Sequence, residues 1–90
     1  EGAQTMLGAV LAKARFWESV RDVGLNERQR LVLNRMLDGF EGKLTTSKWA
    51  ALTRSSTDTA LRDIQRLVER GVLVRNPAGG RSTSYSLASL

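Results

Sequence analysis

Within residues 56–66 lie Thr57, Thr59, Arg62, Gln65 and Arg66, five side chains suited to touching a nucleic-acid duplex. A guanidinium can bridge guanine O6 and N7, and a threonine hydroxyl can meet a base edge or a phosphate oxygen. Ser47, Lys48 and Arg54 stand just upstream, where a flanking helix would touch the backbone, and Arg81 follows the pair Gly79-Gly80. A glycine tip lets the main chain approach a phosphate, and an arginine beside it can reach a phosphate or the minor groove. Catalysis has no comparable residues. The chain contains no histidine and no cysteine, which removes the commonest general base, the usual partner of a serine nucleophile, the thiolate and the usual zinc ligands. Neither an enzyme nor a bound metal or cofactor is expected.

Charge points the same way. Residues 1–42 carry six basic and six acidic side chains, whereas residues 43–90 carry eight basic against three acidic. The whole net charge of +5 therefore sits in the C-terminal half, a local positive field that suits a polyanion. Solubility alone is the blander reading of the same charge. No apolar run approaches the roughly 20 residues that span a bilayer, and no secretory pattern is present, so a cytoplasmic protein with no membrane partner is expected.

The elements that position these residues follow from periodicity. Leu7, Val10, Ala14, Trp17 and Val20 recur at helical steps and predict a helix over 4–23, stopped at Gly24. Leu11 and Phe16 fall off that stripe and give the helix a second apolar face, which calls for another domain or a second copy of the chain. Asn26 is placed to cap a helix over 27–38, with Gln29 closing a capping box and Leu31, Val32, Met36 and Leu37 facing inward. Lys43–Thr45 reads as a short extended segment. Thr46 is expected to cap a helix over 47–53, and Ser55 one over 56–70 whose inner face is Ala60, Leu61, Ile64, Leu67 and Val68. Gly71 ends it. Val72–Asn76 and Ser82–Leu87 then change to a period of two around the turn 77–80, a β-hairpin.

The order predicts a mainly α fold with a small β-hairpin, a winged helix-turn-helix preceded by an N-terminal helix. In such a unit the second helix, here 56–70, enters the major groove, and the wing over 77–82 reaches the backbone. The candidate DNA-binding residues are Ser47, Lys48, Arg54, Ser56, Thr57, Thr59, Arg62, Arg66 and Arg81. Arg62 could instead pair with Asp58 one turn away. Asp63 does not suit a phosphate face and reads as structural, holding Arg81 or a backbone amide. Trp49 and Tyr85 read as core residues rather than stacking platforms.

Two resemblances rest on exact phrases. Residues 56–81, S-T-D-T-A-L-R-D-I-Q-R-L-V-E-R-G-V-L-V-R-N-P-A-G-G-R, resemble the winged helix of DeoR-type bacterial repressors, with Ser56, Thr59, Arg62, Asp63, Leu67, Gly71, Gly79 and Gly80 at the matching positions. Many such repressors carry a basic or branched residue near Leu61, where this chain departs. Residues 25–87 resemble the C-terminal winged-helix region of bacterial Fic-family proteins, through L-N-E-R-Q, F-E-G-K-L-T, T-A-L-R-D and G-G-R-S-T-S-Y. That resemblance implies a C-terminal domain at 25–90, joined by a linker helix at 1–24 to an upstream catalytic domain. Fic proteins transfer AMP from ATP to a protein hydroxyl through a motif H-P-F-x-x-G-N-G-R, no part of which occurs here. The absence of an initiator Met at Glu1 fits a piece of a longer chain. The expected partners are duplex DNA, the upstream Fic domain and a second copy through the helix at 4–23. The alternative is a protein-interaction or dimerisation module with the same fold.

Overall fold

A computed structural model describes residues 2–39, 42–77 and 83–88, with the main chain alone over 2–10. It contains four helices and a two-stranded antiparallel hairpin, in the order α1 (Gly2–Ser19), α2 (Glu27–Leu37), α3 (Thr46–Thr53), α4 (Thr57–Glu69), β1 (Leu73–Arg75) and β2 (Tyr85–Leu87). The expected fold is present: α2, α3 and α4 surround one core, and the hairpin forms the wing.

Helix α1 is shorter at its C-terminus than the period suggested. The Ser19 hydroxyl donates to the Phe16 carbonyl at 2.6 Å, and the chain then tightens into a turn in which the Val23 N–H reaches the Val20 carbonyl. Its core-facing line also differs. Phe16 and Val20 are buried, Trp17 is half-buried, and Ala14 and Leu11 are exposed. Phe16 therefore belongs to the core rather than to a second face. Lys13 reaches Asp38 just beyond α2, an exposed pair at 2.6 Å of the kind that contributes little.

Helix α2 begins as expected. Asn26 accepts from the Gln29 N–H at 2.7 Å, and the Gln29 side chain accepts from the Asn26 N–H at 2.9 Å, a complete capping box. Its inner face is shifted from the expected one: Gln29, Val32 and Leu33 are buried, while Leu31 is 44% exposed. The buried Gln29 fixes this phase, because its amide donates to the Asp63 carbonyl on α4 at 3.1 Å.

Two caps lie one residue away from the expected ones. Thr45, not Thr46, caps α3 by accepting from the Lys48 N–H at 3.2 Å. Ser56, not Ser55, caps α4 by accepting from the Thr59 N–H at 3.1 Å. Ser55 is already engaged with the Thr53 hydroxyl at 2.7 Å. Between the helices Arg54 takes left-handed backbone angles, φ 52 and ψ 44, a conformation uncommon outside glycine. Helix α4 closes through Gly71 at φ +75, with Val72 N–H on the Leu67 carbonyl and Gly71 N–H on the Val68 carbonyl, a Schellman motif.

The wing pairs Leu73 with Leu87, Val74 with Ser86 and Arg75 with Tyr85. Leu44 joins the far side of Tyr85, whose N–H donates to the Leu44 carbonyl at 2.9 Å, so the expected extended segment at 43–45 anchors the hairpin. Leu44, Trp49, Ile64, Leu67, Leu73 and Tyr85 fill the core beneath it. Val72 and Leu73 are both buried and Val74 is exposed, so the expected alternation starting at Val72 does not hold.

Candidate nucleic-acid interface

Helix α4 presents a continuous outer stripe. Thr57, Asp58, Leu61, Arg62, Gln65, Arg66 and Glu69 are exposed, while Ala60, Asp63, Ile64 and Leu67 face inward. This corrects one expectation. Leu61 is 39% exposed and lies on the outer stripe instead of in the core, and Asp63, read as structural, faces inward. The reason is the 60, 63–64, 67 spacing, which places Asp63 on the same face as Ile64.

Among the described residues Asp63 is held by the start of α2, while the expected partner Arg81 lies outside them. The Arg28 guanidinium donates to it twice, from Nε at 2.7 Å and Nη2 at 3.1 Å, and Asn26 Nδ2 donates at 3.0 Å. Burial alone pushes the Asp63 carboxyl upward. The bonds from Arg28 and Asn26, the Arg28 charge and the nearby Trp49 indole outweigh it and hold the group below the usual carboxylate range. Among the described residues Trp49 Nε1 makes no hydrogen bond within normal geometry, yet its N–H dipole still favours the charged carboxylate. The same pairing holds the Arg28 guanidinium above its ordinary value, chiefly through the Asp63 hydrogen bond. This node ties the start of α2 to the middle of α4, so the outer stripe is presented by a helix fixed from behind.

The other candidates fall into groups. Thr57, Arg62 and Arg66 share the outer stripe, and among the described residues Arg62 pairs with neither Asp58 nor Asp63. Thr59 is half-buried, and its hydroxyl receives the Ser56 hydroxyl at 3.1 Å, so Ser56 and Thr59 serve the cap. Ser47 and Arg54 are exposed on α3 and the turn after it. Lys48 is half-buried, and its Nζ lies where a side chain on Gly42 would meet it at 3.1 Å. Arg81 and the wing tip at 78–82 lie outside the described residues. Sequence reading missed Arg28 and Asn26. The one available signal was an acid at a core position of α4, which requires a buried donor from elsewhere in the chain.

The fold matches solved winged-helix regulators. MepR, a transcription regulator of the Staphylococcus aureus multidrug efflux pump MepA, is similar with a TM-score of 0.63 and 13% identity over 97% of this chain and 64% of that one. Mb0332 from Mycobacterium bovis, solved as the homodimeric winged helix-turn-helix DNA-binding domain of a possible ArsR-family regulator, gives a TM-score of 0.63 and 20% identity over 88% of this chain and 69% of that one. The transcriptional regulator Tm0710 from Thermotoga maritima gives a TM-score of 0.62 and 22% identity over 96% of this chain and 62% of that one. At these identities the likeness establishes the winged-helix fold, and the chain spans about two thirds of the length of these proteins. No protein-family profile matches the chain, and no curated protein matches it.

Proposed function

We propose that this chain binds duplex DNA, with α4 entering the major groove and the wing on the backbone. One observation carries the reading: the outer stripe of α4 offers Thr57, Arg62, Gln65 and Arg66 to a ligand, with no ion pair to Arg62 or Arg66 among the described residues. The positive excess of residues 43–90 supports it, as does the DNA-binding domain among the fold's neighbours. Ser47, Lys48, Arg54 and Arg81 are proposed as backbone contacts. The finer proposal is that the chain is the C-terminal module of a cytoplasmic bacterial Fic-family protein, supported by the four phrases within 25–87. Any AMP transfer would belong to the parent, and finding H-P-F-x-x-G-N-G-R upstream in the coding sequence tests the linkage. No helix among the described residues is long and apolar enough to cross a membrane.

A salt titration of binding to mixed-sequence duplex is the direct test. Each neutralised phosphate lowers log K by about 0.9 per unit of log salt, and roughly three to five contacts are expected from the exposed cations. Affinity that ignores salt overturns the proposal.

A second reading has its own observation. Leu11 is 55% exposed, and Trp17 and Leu31 border an open groove between α1 and α2. This surface would meet a second copy of the chain or the parent's catalytic domain. Removing residues 1–24 would strip Phe16 and Val20 from the core, so the cleaner test is Leu11→Glu with Leu31→Glu. Sedimentation of the unmodified chain as a monomer at high concentration excludes the self-association arm.

A further inference from the structure

Between the start of α2 and the adjoining flank of α4 lies an open, polar cleft of about 390 Å³. Arg28 enters it from α2, and Arg62 and Arg66 enter it from successive turns of α4. Arg28 and Asp63 neutralise each other there, and their two bonds use Arg28 Nε and Nη2. The Nη1 donors of Arg28 have no partner among the described residues. Neither the Arg62 nor the Arg66 side chain has an ion pair or hydrogen bond among them. The one remaining carboxylate in the lining is Glu69, one turn beyond Arg66, so two unpaired arginines face a single acid and the positive charge is in excess by one. Asn26 and Arg28 also place the N-terminal end of the 11-residue α2 at the rim, which adds the positive end of a helix dipole.

We infer that this cleft binds the phosphate group of a phosphoester, gripped by Arg62 and Arg66 with Arg28 as third donor. Guanidinium forks match phosphate oxygens bidentately. Three forks arriving from two helices suit a tetrahedral group better than a planar carboxylate. Asp63 is the positioning residue, since it fixes the Arg28 stem at the rim. The phosphate has two possible sources: the backbone of a duplex on α4, which rests on the DNA reading above, or a free phosphorylated small molecule, which does not. In either case Arg62 serves a phosphate and not a base edge.

The test follows the backbone amides and arginine Nε–H signals of the chain by NMR. One arm adds sodium phosphate against sodium chloride at matched ionic strength, and the other adds mixed-sequence duplex. Saturable shifts at Asn26, Arg28, Arg62 and Arg66 with phosphate support the cleft. Arg66→Gln, at an exposed position, should leave the remaining spectrum intact and weaken binding about five- to tenfold, the loss of one half-exposed charge-assisted contact. Shifts at these residues with duplex alone assign the phosphate to DNA. Shifts with phosphate and none with duplex keep the cleft and overturn the DNA reading. Duplex binding that moves Thr57 and Leu61 but leaves Asn26, Arg28 and Arg66 still, with phosphate silent, overturns the cleft and keeps the DNA reading. Silence in both arms overturns both.

Discussion

Asp63→Asn removes one negative charge from the inner face of α4 while keeping the shape of the side chain. Three donors converge on that carboxylate: Arg28 Nε at 2.7 Å, Asn26 Nδ2 at 3.0 Å and Arg28 Nη2 at 3.1 Å. An asparagine offers them one oxygen and turns its own amide N–H groups towards a donor. Hydrogen bonds to charged groups contribute about 1.5–3 kcal/mol in mutational series. The Asp63 side chain is only 7% exposed, so solvent cannot replace the lost bonds on its side, whereas Arg28 is 42% exposed and can turn to water. The expected loss at neutral pH is therefore about 2 kcal/mol, or a fall in Tm of about 8–16 °C for a domain of this size. The pH dependence adds a second check. The folded-state pKa of Asp63 lies below its ordinary 3.8, so its contribution is complete above that value and disappears as pH falls through the depressed folded value. Circular-dichroism melts of both chains should show a gap that is constant from pH 7 to about 5 and closes in stronger acid. A gap under about 3 °C at neutral pH, or one that persists undiminished in strong acid, refutes the reasoning.

Three further outcomes are expected. Arg54→Gly relieves a left-handed residue at φ 52 but adds glycine's backbone entropy, so stability should change by no more than about 0.5 kcal/mol, while duplex affinity measured by anisotropy falls. Arg62→Ala should weaken matched and scrambled duplexes alike and flatten the salt slope by about one; a loss of about 1–3 kcal/mol confined to the matched site would instead make it a base reader. Leu61→Ala should leave stability within about 0.5 kcal/mol and shift sequence preference, because an exposed leucine on a groove helix suits a thymine methyl. An unchanged preference would remove Leu61 from the reading surface.

The architecture was legible because period and punctuation agree along this chain. Residues 57–69 repeat at helical spacing, Gly71 supplies the left-handed stop, and the pattern then changes to the wing. The cap assignments missed by one residue for a local reason. Thr45 and Thr46 stand side by side, as do Ser55 and Ser56, and each hydroxyl is chemically able to cap. Tertiary bonds decide between them: Ser55 is drawn to Thr53 and leaves Ser56 to α4. The wing tip with Arg81 falls outside the described residues.

The candidate site was legible only in part, and the cause is a pair of buried polar residues. Periodicity counts apolar side chains as inward and so places Leu61 and Leu31 in the core. Gln29 and Asp63 occupy those inner faces instead, and the displaced leucines lie outside. Each polar residue is acceptable there only because the other helix satisfies it, through Gln29 to the Asp63 carbonyl and Arg28 and Asn26 to the Asp63 carboxylate. Those partners lie 34 to 37 positions apart, beyond any local pattern. The same substitution of polar for apolar contacts brings Arg28 beside Arg62 and Arg66. An apolar residue at 63 would pack against Ile64 and leave Arg28 free to follow solvent. With Asp63 present, Arg28 is fixed beside α4, and the cleft gains a third guanidinium held in place before any ligand arrives.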